Sequence, residues 1–598
     1  MFLGGAAAIL ALGLVASPPA ASTPAQASTP AAADAPALLS PYATAGSVAV
    51  GAAAYAVPSG AIVVSPSGND ANPGTLARPV RTLTRGLVLA PSGGAVVLRA
   101  GVYRENVTIN RKVTVQNYPR EAVWLDGSSA VTGWVADGTT WRRDGWTTRF
   151  DHSPTYTRGA PDSTQPGWQF VNPKTYPMAA HPDQFFVNGA ALRQVKSRAL
   201  VVAGTFFLDE STSKLYIGTN PTGRAVEGST LFKAMSIRAA GTVVRGIGVR
   251  RYSPSVWHIA GITVEAPASR VENVVIQDMA TTGISVQRED NVLDRVTVQR
   301  SGMLGVHARF ADRIQLLSVL ATRNNSEHFN IAPNSGGAKF GATRGVTVRG
   351  SSFSGNYGPG LWEDLSVYNS VFTGSSFSDN SGAGLFLEIS AKAIVANNLF
   401  ARNASDGIKV NNTTDVQIWN NTFVGNGRPL NLVQDTRRNT NRDDQAVDPR
   451  QPFPDATMPW TLGPVTVRNN VVAQSTKAAN CLLCVEDYSH KASGAQLGVT
   501  ADGNAYHRTA TSAPTWIAVW SRGATNVNPL VFTSLSALTS VTGQEVHGRS
   551  YVGLPIVSSA GVLSPLVALE APRFARPLPA NIASLVGRST GTVHLGKW

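Results

Sequence analysis

The chain has 598 residues, of which 43% are hydrophobic, 15% charged and 8% aromatic. This composition supplies material for a long core and too little charge for a mainly disordered chain, and it excludes collagen and coiled coils. Lys and Arg (51) outnumber Asp and Glu (37), which gives a formal net charge of +14. The excess favours a polyanionic partner only weakly, because no block of basic residues marks a dedicated binding tract.

The first residues have the pattern of an export signal. An apolar run from Ala6 to Ala16 precedes small residues, and AQA at 25–27 offers a cleavage site. We therefore expect a signal peptide at 1–27, an Ala/Pro/Ser/Thr-rich linker without packed structure at 28–54, and a secreted, extracellular protein. The run is shorter than the roughly 20 apolar residues that span a bilayer, so we expect no membrane-embedded function.

The segment IVVSPSGNDANPGTLARPVRTLTRGLVLAPSGGAVVLRAGVYRENVTI at 62–109 resembles the opening of secreted right-handed parallel β-helix proteins of the pectin-lyase-like superfamily. The resemblance implies that a short helix at about Leu83 to Leu89 caps the open end of the coil. Such a cap is needed because an uncovered end strand would pair with other molecules. We predict this cap and the first rungs of the coil at 55–130.

A β-rich insertion is predicted at 131–235. Within it the repeat period is lost, tryptophans cluster, and FFLDESTSKLYIG has the pattern of a hairpin. We expect the insertion to pack beside the coil.

From about Ser236 the chain repeats itself. The clearest copies end at Asn356, Asn380, Asn403 and Asn426, which are 24, 23 and 23 residues apart. Short β-branched strands at this period, separated by Asn/Gly turns, indicate an all-β parallel β-helix. We predict the main coil at 236–504 and a C-terminal closing segment at 505–598. The asparagines are expected to stack as a structural ladder, in which side-chain amides bond to their copies above and below.

Two cysteines, Cys481 and Cys484, lie in the segment CLLC. In an exported chain we expect a local disulfide between them rather than a zinc pair, because no second Cys/His pair at ligand spacing accompanies them.

A column of outward-facing residues is predicted on one sheet of the coil. Alternate strand residues face opposite sides, and the first position after each rung's glycine is mostly apolar, so the second and fourth positions point outward. These outward positions are Ser285, Gln287, His307, Arg309, Lys339, Trp362, Asp364, Phe386, Glu388, Lys409 and Asn411.

Within this column, Asp364 and Glu388 are one rung apart. Neighbouring rungs are separated by about 4.8 Å, and retaining glycosidases need two carboxyl groups about 5–5.5 Å apart, so the stacking favours the retaining geometry. Adjacent carboxylates push their pKa values apart, which leaves one as general acid and the other as nucleophile. We expect Lys339 to keep Asp364 ionised, and Trp362 and Phe386 to support a sugar ring.

The segments GLWED (360–364) and GLFLEIS (384–390) resemble the β-helical glycoside hydrolases, especially the β-xylosidase type. The resemblance implies that Asp364 is the nucleophile and Glu388 the acid/base. Glu363 departs from the pattern, because its position in the strand places a carboxyl group inward, where the other rungs have apolar residues. The alternative is a local bulge that turns Glu363 outward to the cleft and buries Asp364.

The remaining candidates are expected to bind substrate. The column contributes His307, Arg309, Lys409 and Asn411. One rung of the repeat holds about nine extra residues near Glu327 and His328, and these should form a loop beside a cleft. The insert at 434–448 is expected to be an exposed polar loop, with contact to sugar as the alternative.

Three functions fit these features, and the first is a retaining glycoside hydrolase acting on a plant or microbial polysaccharide or its oligosaccharides. The second is a polysaccharide lyase with Lys339 or His307 as base, Arg309 neutralising a uronate, and Ca²⁺ on Asp364 and Glu388. The third is a non-catalytic polysaccharide-binding rod. Only the lyase hypothesis includes a metal ion, and for the other two functions we expect no metal or cofactor. We also expect no nucleic-acid or membrane partner and a monomer.

Overall fold

The computed structural model of the protein describes residues 45–153, 169–476 and 480–598. The predicted signal peptide and the first part of the predicted linker lie outside these ranges. None of the described helices is both long and apolar enough to cross a membrane.

Each turn of the chain adds one strand to each of three long sheets, as the repeat predicts. We number the sheets in the order in which a turn visits them, and each contains 13 strands. The strands are parallel except for the last one in sheet 3. Sheet 1 consists of Ile62–Val64, Ala95–Leu98, Thr114–Asn117, Val243–Arg245, Arg270–Glu272, Val292–Asp294, Gln315–Leu317, Arg344–Arg349, Tyr368–Thr373, Ala391–Ala396, Thr414–Trp419, Val465–Arg468 and Val499–Asp502.

The other two sheets follow the same progression along the coil. Sheet 2 consists of Gly101–Tyr103, Val123–Asp126, Gly248–Arg250, Val275–Gln277, Thr297–Gln299, Leu320–Thr322, Ser352–Ser354, Ser376–Ser378, Leu399–Ala401, Thr422–Val424, Val471–Ala473, Ala505–Arg508 and Arg549–Val552. Sheet 3 consists of Val107–Ile109, Met235–Ile237, Ile262–Val264, Thr282–Val286, Leu304–Arg309, Gly336–Gly341, Leu361–Asp364, Leu385–Glu388, Asp406–Asn411, Arg428–Gln434, Cys481–Asp487, Trp516–Trp520 and Leu530–Phe532.

Inward side chains of the three sheets form one continuous apolar core. Equivalent residues of successive turns stack on each other: the rings of Phe353, Phe377, Phe400 and Phe423 follow one another at centroid distances of 5.3, 4.9 and 4.9 Å. The core therefore repeats rung by rung, like the sequence.

The predicted asparagine ladder lies where sheet 2 turns toward sheet 3. Asn356 donates from its backbone and side-chain nitrogens to Oδ1 of Asn380, at 3.1 and 3.0 Å. Asn380 contacts Asn403 in the same way, and Asn403 contacts Asn426. A second ladder between sheets 1 and 2 contains Asn398, Asn421, Asn470 and Asn504.

Leu83–Leu89 forms the predicted capping helix. The preceding residue, Thr82, caps its N-terminus, because the Thr82 hydroxyl accepts a hydrogen bond from the amide of Arg85. The end of the expected linker is packed, contrary to the prediction for 28–54. Gly46 donates its amide to Ser318 at 2.7 Å, and Tyr55 donates its hydroxyl to Glu272 at 2.9 Å. Residues 45–55 therefore run along the outside of the coil.

The insertion contains two small sheets and its own apolar cluster. The predicted hairpin is present as Thr205–Asp209 paired with Lys214–Ile217. The strands of one sheet, in spatial order, are Ala190–Ala191, Phe185–Val187, Val226–Ser229 and Ser128–Ala130. Those of the other are Arg193–Gln194, Thr205–Asp209, Lys214–Ile217, Thr140–Asp144 and Val135–Asp137.

The coil continues past residue 504, farther than the repeats predict, because Ala505–Arg508 and Trp516–Trp520 still pair with preceding rungs. Beyond them the chain runs back along the coil, and Trp598 donates its amide to Asn397 Oδ1 at 2.9 Å. Cys481 and Cys484 form the expected disulfide. The other described helices are Leu535–Thr542, Pro565–Glu570 and Ala580–Leu585, with 3-10 turns at Arg198–Leu200, Gly523–Thr525 and Ala571–Arg573.

Replacing Asn380 by Ala should destabilise the coil. The substitution removes the acceptor of both Asn356 nitrogens and leaves buried polar groups unpaired, which costs about 3 kcal/mol of unfolding free energy. Urea unfolding checks this, with the exposed Asn106→Ala as control. Equal unfolding free energies for the two variants would contradict a stabilising ladder.

Candidate functional site

Sheet 3 aligns the predicted column in one register. His307 pairs with Lys339, Lys339 with Trp362, Trp362 with Phe386 and Phe386 with Lys409. Asp364 and Glu388 each end a strand, one residue beyond the paired positions Glu363 and Leu387. The two carboxylates therefore occupy equivalent positions on adjacent rungs.

Asp364 forms an ion pair with a buried lysine. Lys339 Nζ lies 2.7 Å from Asp364 Oδ2, and Oδ1 accepts the amide of Leu365 at 2.8 Å. The ammonium also donates to the Pro333 carbonyl at 2.6 Å and lies 3.4 Å from the centroid of the Trp362 ring. These contacts fix the lysine against Asp364, because an unpaired buried charge would be costly.

Glu388 has a different environment, although it too is buried. Its Oε2 accepts the indole N–H of Trp362 at 3.0 Å, and Arg437 Nη2 lies 2.6 Å from its Oε1. Burial and the nearby charge of Asp364 raise the pKa of Glu388, whereas Arg437 opposes the increase. A raised pKa keeps a carboxyl protonated at higher pH, which a general acid requires.

Glu363 faces the interior, as its parity predicts, and the alternative bulge is not observed. Only 1% of its surface is exposed, and its Oε1 accepts the hydroxyl of Ser370 at 2.6 Å. Burial raises the pKa of Glu363 to about 8. The residue is therefore a neutral core group near neutral pH and lies on the other side of the strand from Asp364.

The aromatic residues expected to carry a sugar lie beside the pair. The rings of Trp362 and Phe386 stack with centroids 5.3 Å apart. Lys409 Nζ lies 4.5 Å from the centroid of the Phe386 ring, on the next rung. Trp362 is itself 6% exposed and tied to Glu388, so it also positions the carboxyl group.

His307 and Arg309 lie on the column and contact residues other than the two carboxylates. Nδ1 of His307 is 2.9 Å from Ser285 Oγ, and its ring lies edge-on to Trp257 at 4.6 Å. Burial lowers the pKa of His307 well below its ordinary value. The guanidinium of Arg309 lies 5.0 Å from the Phe310 ring.

The extra loop borders the site through its backbone rather than through Glu327 and His328. Pro333 is the loop residue that reaches Lys339. The His328 ring instead stacks on Tyr176, with centroids 4.5 Å apart, and contacts Tyr357 at a tilt, with centroids 4.1 Å apart, near the turn from sheet 2. Glu327 is adjacent to His328, and its amide donates to Gly302 at 3.0 Å. The structure does not bring these two side chains to the carboxylates.

Sequence reasoning missed Arg437. The segment 434–448 was expected to be an exposed polar loop, yet it delivers this guanidinium to Glu388. Asp435 holds Arg437 at 2.7 Å and accepts the side-chain amide of Asn411 at 3.0 Å. Asn411 is therefore linked to the site through Asp435, which in turn holds Arg437. Arg437 lies outside the repeated strands, and only the arginine-rich composition of the insert hinted at an anion nearby.

Comparisons with known proteins agree with this fold. Residues 260–448 match the family model of the right-handed β-helix region, and residues 66–156 match DUF1565, a family of unknown function. A segment of 76 residues is 35% identical to the uncharacterized protein YwoF of Bacillus subtilis (strain 168). That match covers 12% of this chain and only 16% of YwoF.

Among solved structures, the complex of XylC with xylose is similar, with a TM-score of 0.51 and 14% identity over 75% of this chain and 83% of that chain. The A-module of the Azotobacter vinelandii mannuronan C-5 epimerase AlgE6 aligns with a TM-score of 0.38 and 13% identity, over 69% of this chain and 85% of that one. The chain has a right-handed parallel β-helix fold.

Glu363→Gln should change how stability depends on pH. In the folded protein Glu363 keeps its proton up to about pH 8, whereas its ordinary pKa is 4.5. Between these values unfolding releases a proton, so the wild-type protein loses stability as pH rises, by about 1.4 kcal/mol per pH unit. The Gln variant lacks this loss and should gain stability relative to wild type from pH 5 to pH 8.

Urea unfolding at several pH values measures this effect, and Asp443→Asn, in an exposed loop segment, is the control. Parallel pH profiles for wild type and Glu363→Gln would contradict a protonated Glu363.

Proposed function

We propose that the protein is a secreted carbohydrate-active enzyme, a retaining glycoside hydrolase with Asp364 as nucleophile and Glu388 as acid/base. The observation that carries the proposal is the pair of buried carboxyl groups at equivalent positions of adjacent rungs. Each has its own cation, Lys339 on Asp364 and Arg437 on Glu388. Strands of one sheet are about 4.8 Å apart, close to the roughly 5–5.5 Å separation of retaining enzymes.

The two carboxyl groups differ in their surroundings, which supports different roles. Both oxygens of Asp364 accept hydrogen bonds, one of them from the Lys339 ammonium. Burial and the charge of Asp364 raise the pKa of Glu388, which favours its protonated form. A proton donor and a nucleophile with different proton affinities are what the double-displacement mechanism needs.

In the first step a carboxylate oxygen of Asp364 forms a bond to the anomeric carbon while the glycosidic C–O bond breaks. Glu388 gives its proton to the leaving oxygen. In the second step Glu388 takes a proton from water, the water oxygen bonds to the anomeric carbon, and the ester bond to Asp364 breaks. Two inversions leave the anomeric configuration unchanged.

The lyase alternative has weaker support. Its candidate bases are engaged, because Lys339 is ion-paired with Asp364 and His307 is bound to Ser285. The carboxylates do not fit Ca²⁺, which takes six to eight oxygen ligands, since ammonium and guanidinium groups occupy their oxygens. A non-catalytic rod gives no reason to bury two carboxyl groups next to each other.

The proposed substrate class is supported by a neighbour, because the similar XylC structure is a complex with xylose. The ring faces of Trp362 and Phe386 are covered by Lys339, by each other and by Lys409, so these rings shape the site next to the carboxyl pair instead of stacking on a sugar. We propose neutral sugars of a polysaccharide or its oligosaccharides as substrate, with pentosides to be tested first.

Asp364→Asn and Glu388→Gln should separate the two roles. Loss of the nucleophile should abolish hydrolysis of every glycoside. Loss of the acid should reduce turnover of natural glycosides by about 10²- to 10⁴-fold, but far less for aryl glycosides whose leaving group needs no proton. Reducing-end release and product NMR measure rate and configuration.

The control variant is Asp379→Asn, which alters an exposed carboxylate paired with Arg402 on the same coil and should keep full activity. Product of inverted configuration would contradict the retaining mechanism. Ultraviolet absorbance of unsaturated products would establish elimination instead, and silence on a broad panel would favour the binding rod.

Arg437→Gln should move the alkaline limb of the pH–rate profile to higher pH. Arg437 opposes the increase in the pKa of Glu388. Its removal therefore lets that pKa rise further, and Glu388 keeps its proton up to a higher pH. Because the Arg437 side chain is 41% exposed, solvent screening limits the shift to about one pH unit or less.

The profile of kcat/KM against pH measures the shift, and the exposed Arg442→Gln in the same loop is the control. An unchanged or lowered alkaline limb in Arg437→Gln would contradict the assigned role.

A further inference from the structure

Three segments of the insertion bring nitrogen and oxygen ligands together, away from the carboxylate pair. His152 follows the strand Thr140–Asp144, and His181 and Asp183 precede the strand Phe185–Val187. One ligand atom from each of the three residues lies within 4.8 Å of the others. Glu210, in the turn of the predicted hairpin, places Oε1 3.1 Å from His152 Nε2.

The geometry inside this cluster leaves buried polar atoms unsatisfied. The Asp183 side chain is only 2% exposed, and its Oδ2 lies 3.4 Å from His152 Nε2. Both of these atoms are buried, yet neither makes a hydrogen bond within the described part of the chain. Buried polar atoms without a hydrogen bond cost about 1–3 kcal/mol each, so two such atoms side by side favour an additional partner between them.

An ion pair between His152 and Asp183 alone does not account for His181. The two imidazole rings lie with centroids 4.1 Å apart, and a protonated His152 would repel a second cation there. The His181 imidazole is therefore a third ligand group at this point, which the ion pair does not explain.

We propose that His152, His181 and Asp183 bind a zinc ion in the insertion, with Glu210 or a water molecule as the fourth ligand. Two imidazoles and a carboxylate are typical zinc ligands, whereas Ca²⁺ and Mg²⁺ prefer oxygen ligands alone. A cation between the three ligand atoms would satisfy both unpaired atoms. The sequence did not reveal this site, because the two histidines are 29 positions apart and no motif links them.

The zinc would fix a segment that supports the loop next to the carboxylate pair. Phe170, Val171, Ala179 and Ala180 pack in one apolar cluster with Phe329. The Phe170 carbonyl accepts the amide of Asn330 at 2.8 Å, and the same loop supplies the Pro333 carbonyl to Lys339. The metal site itself does not depend on the proposed hydrolase activity.

Zinc content of the full chain, prepared without a histidine tag, tests the proposal. After loading with ZnCl₂ and gel filtration in metal-free buffer, elemental analysis should find about one zinc per chain. His181→Gln and Asp183→Asn should each retain less than about a tenth of that amount. His547→Gln is the matched control, because His547 pairs with Asp502 at 2.9 Å outside the cluster.

Two further readouts do not depend on the variants folding well. Co²⁺ added to the wild-type chain should give the visible bands of a nitrogen-ligated four-coordinate ion, and Zn²⁺ but not Ca²⁺ should raise the melting temperature. Absence of zinc from the loaded wild-type chain would overturn the proposal. Full retention of zinc by the two folded ligand variants, or a featureless Co²⁺ spectrum, would also overturn it.

Discussion

The backbone ladder between successive turns of the coil determines everything else in this structure. Parallel pairing in constant register places each residue directly above its counterpart in the previous turn, from His307 through Lys339, Trp362 and Phe386 to Lys409. The apolar stacks, the asparagine ladders and the carboxylate pair all follow from this one constraint. A slip of one residue would turn Asp364 inward and bring Glu363 to the surface.

The site adds to this ladder two cations of different origin. Lys339 belongs to the coil, is buried and is fixed by Pro333 and Trp362. Arg437 comes from a loop that leaves the coil between two rungs, and its side chain is 41% exposed. The cation that pairs with Asp364 is therefore part of the repeated coil itself. The proton affinity of Glu388 depends on a surface segment, which can change without altering the repeat.

The sequence predicted what the repeat controls and missed what lies between repeats. The parity of strand residues predicted Glu363 inward and Asp364 outward, with a local bulge as the alternative, and the Asn spacing predicted the ladder. The contact of Arg437 with Glu388 joins residues 49 positions apart through a loop without a period, and no pattern encodes it. The same holds for Glu327 and His328, which the extra loop directs to Tyr176 and Tyr357, and for the packed residues 45–54.

The returning C-terminal segment has a mechanical consequence. In a solenoid each turn contacts only its neighbours, so unfolding can proceed turn by turn from an end. Here the backbone amides of Lys597 and Trp598 bond to Thr422 and Asn397, on the turns that follow Glu388. While these two hydrogen bonds are intact, the last turns cannot unfold separately from the turns to which the C-terminal segment is bound. The far end of the coil and the turns beside the carboxylate pair should therefore open as one cooperative unit.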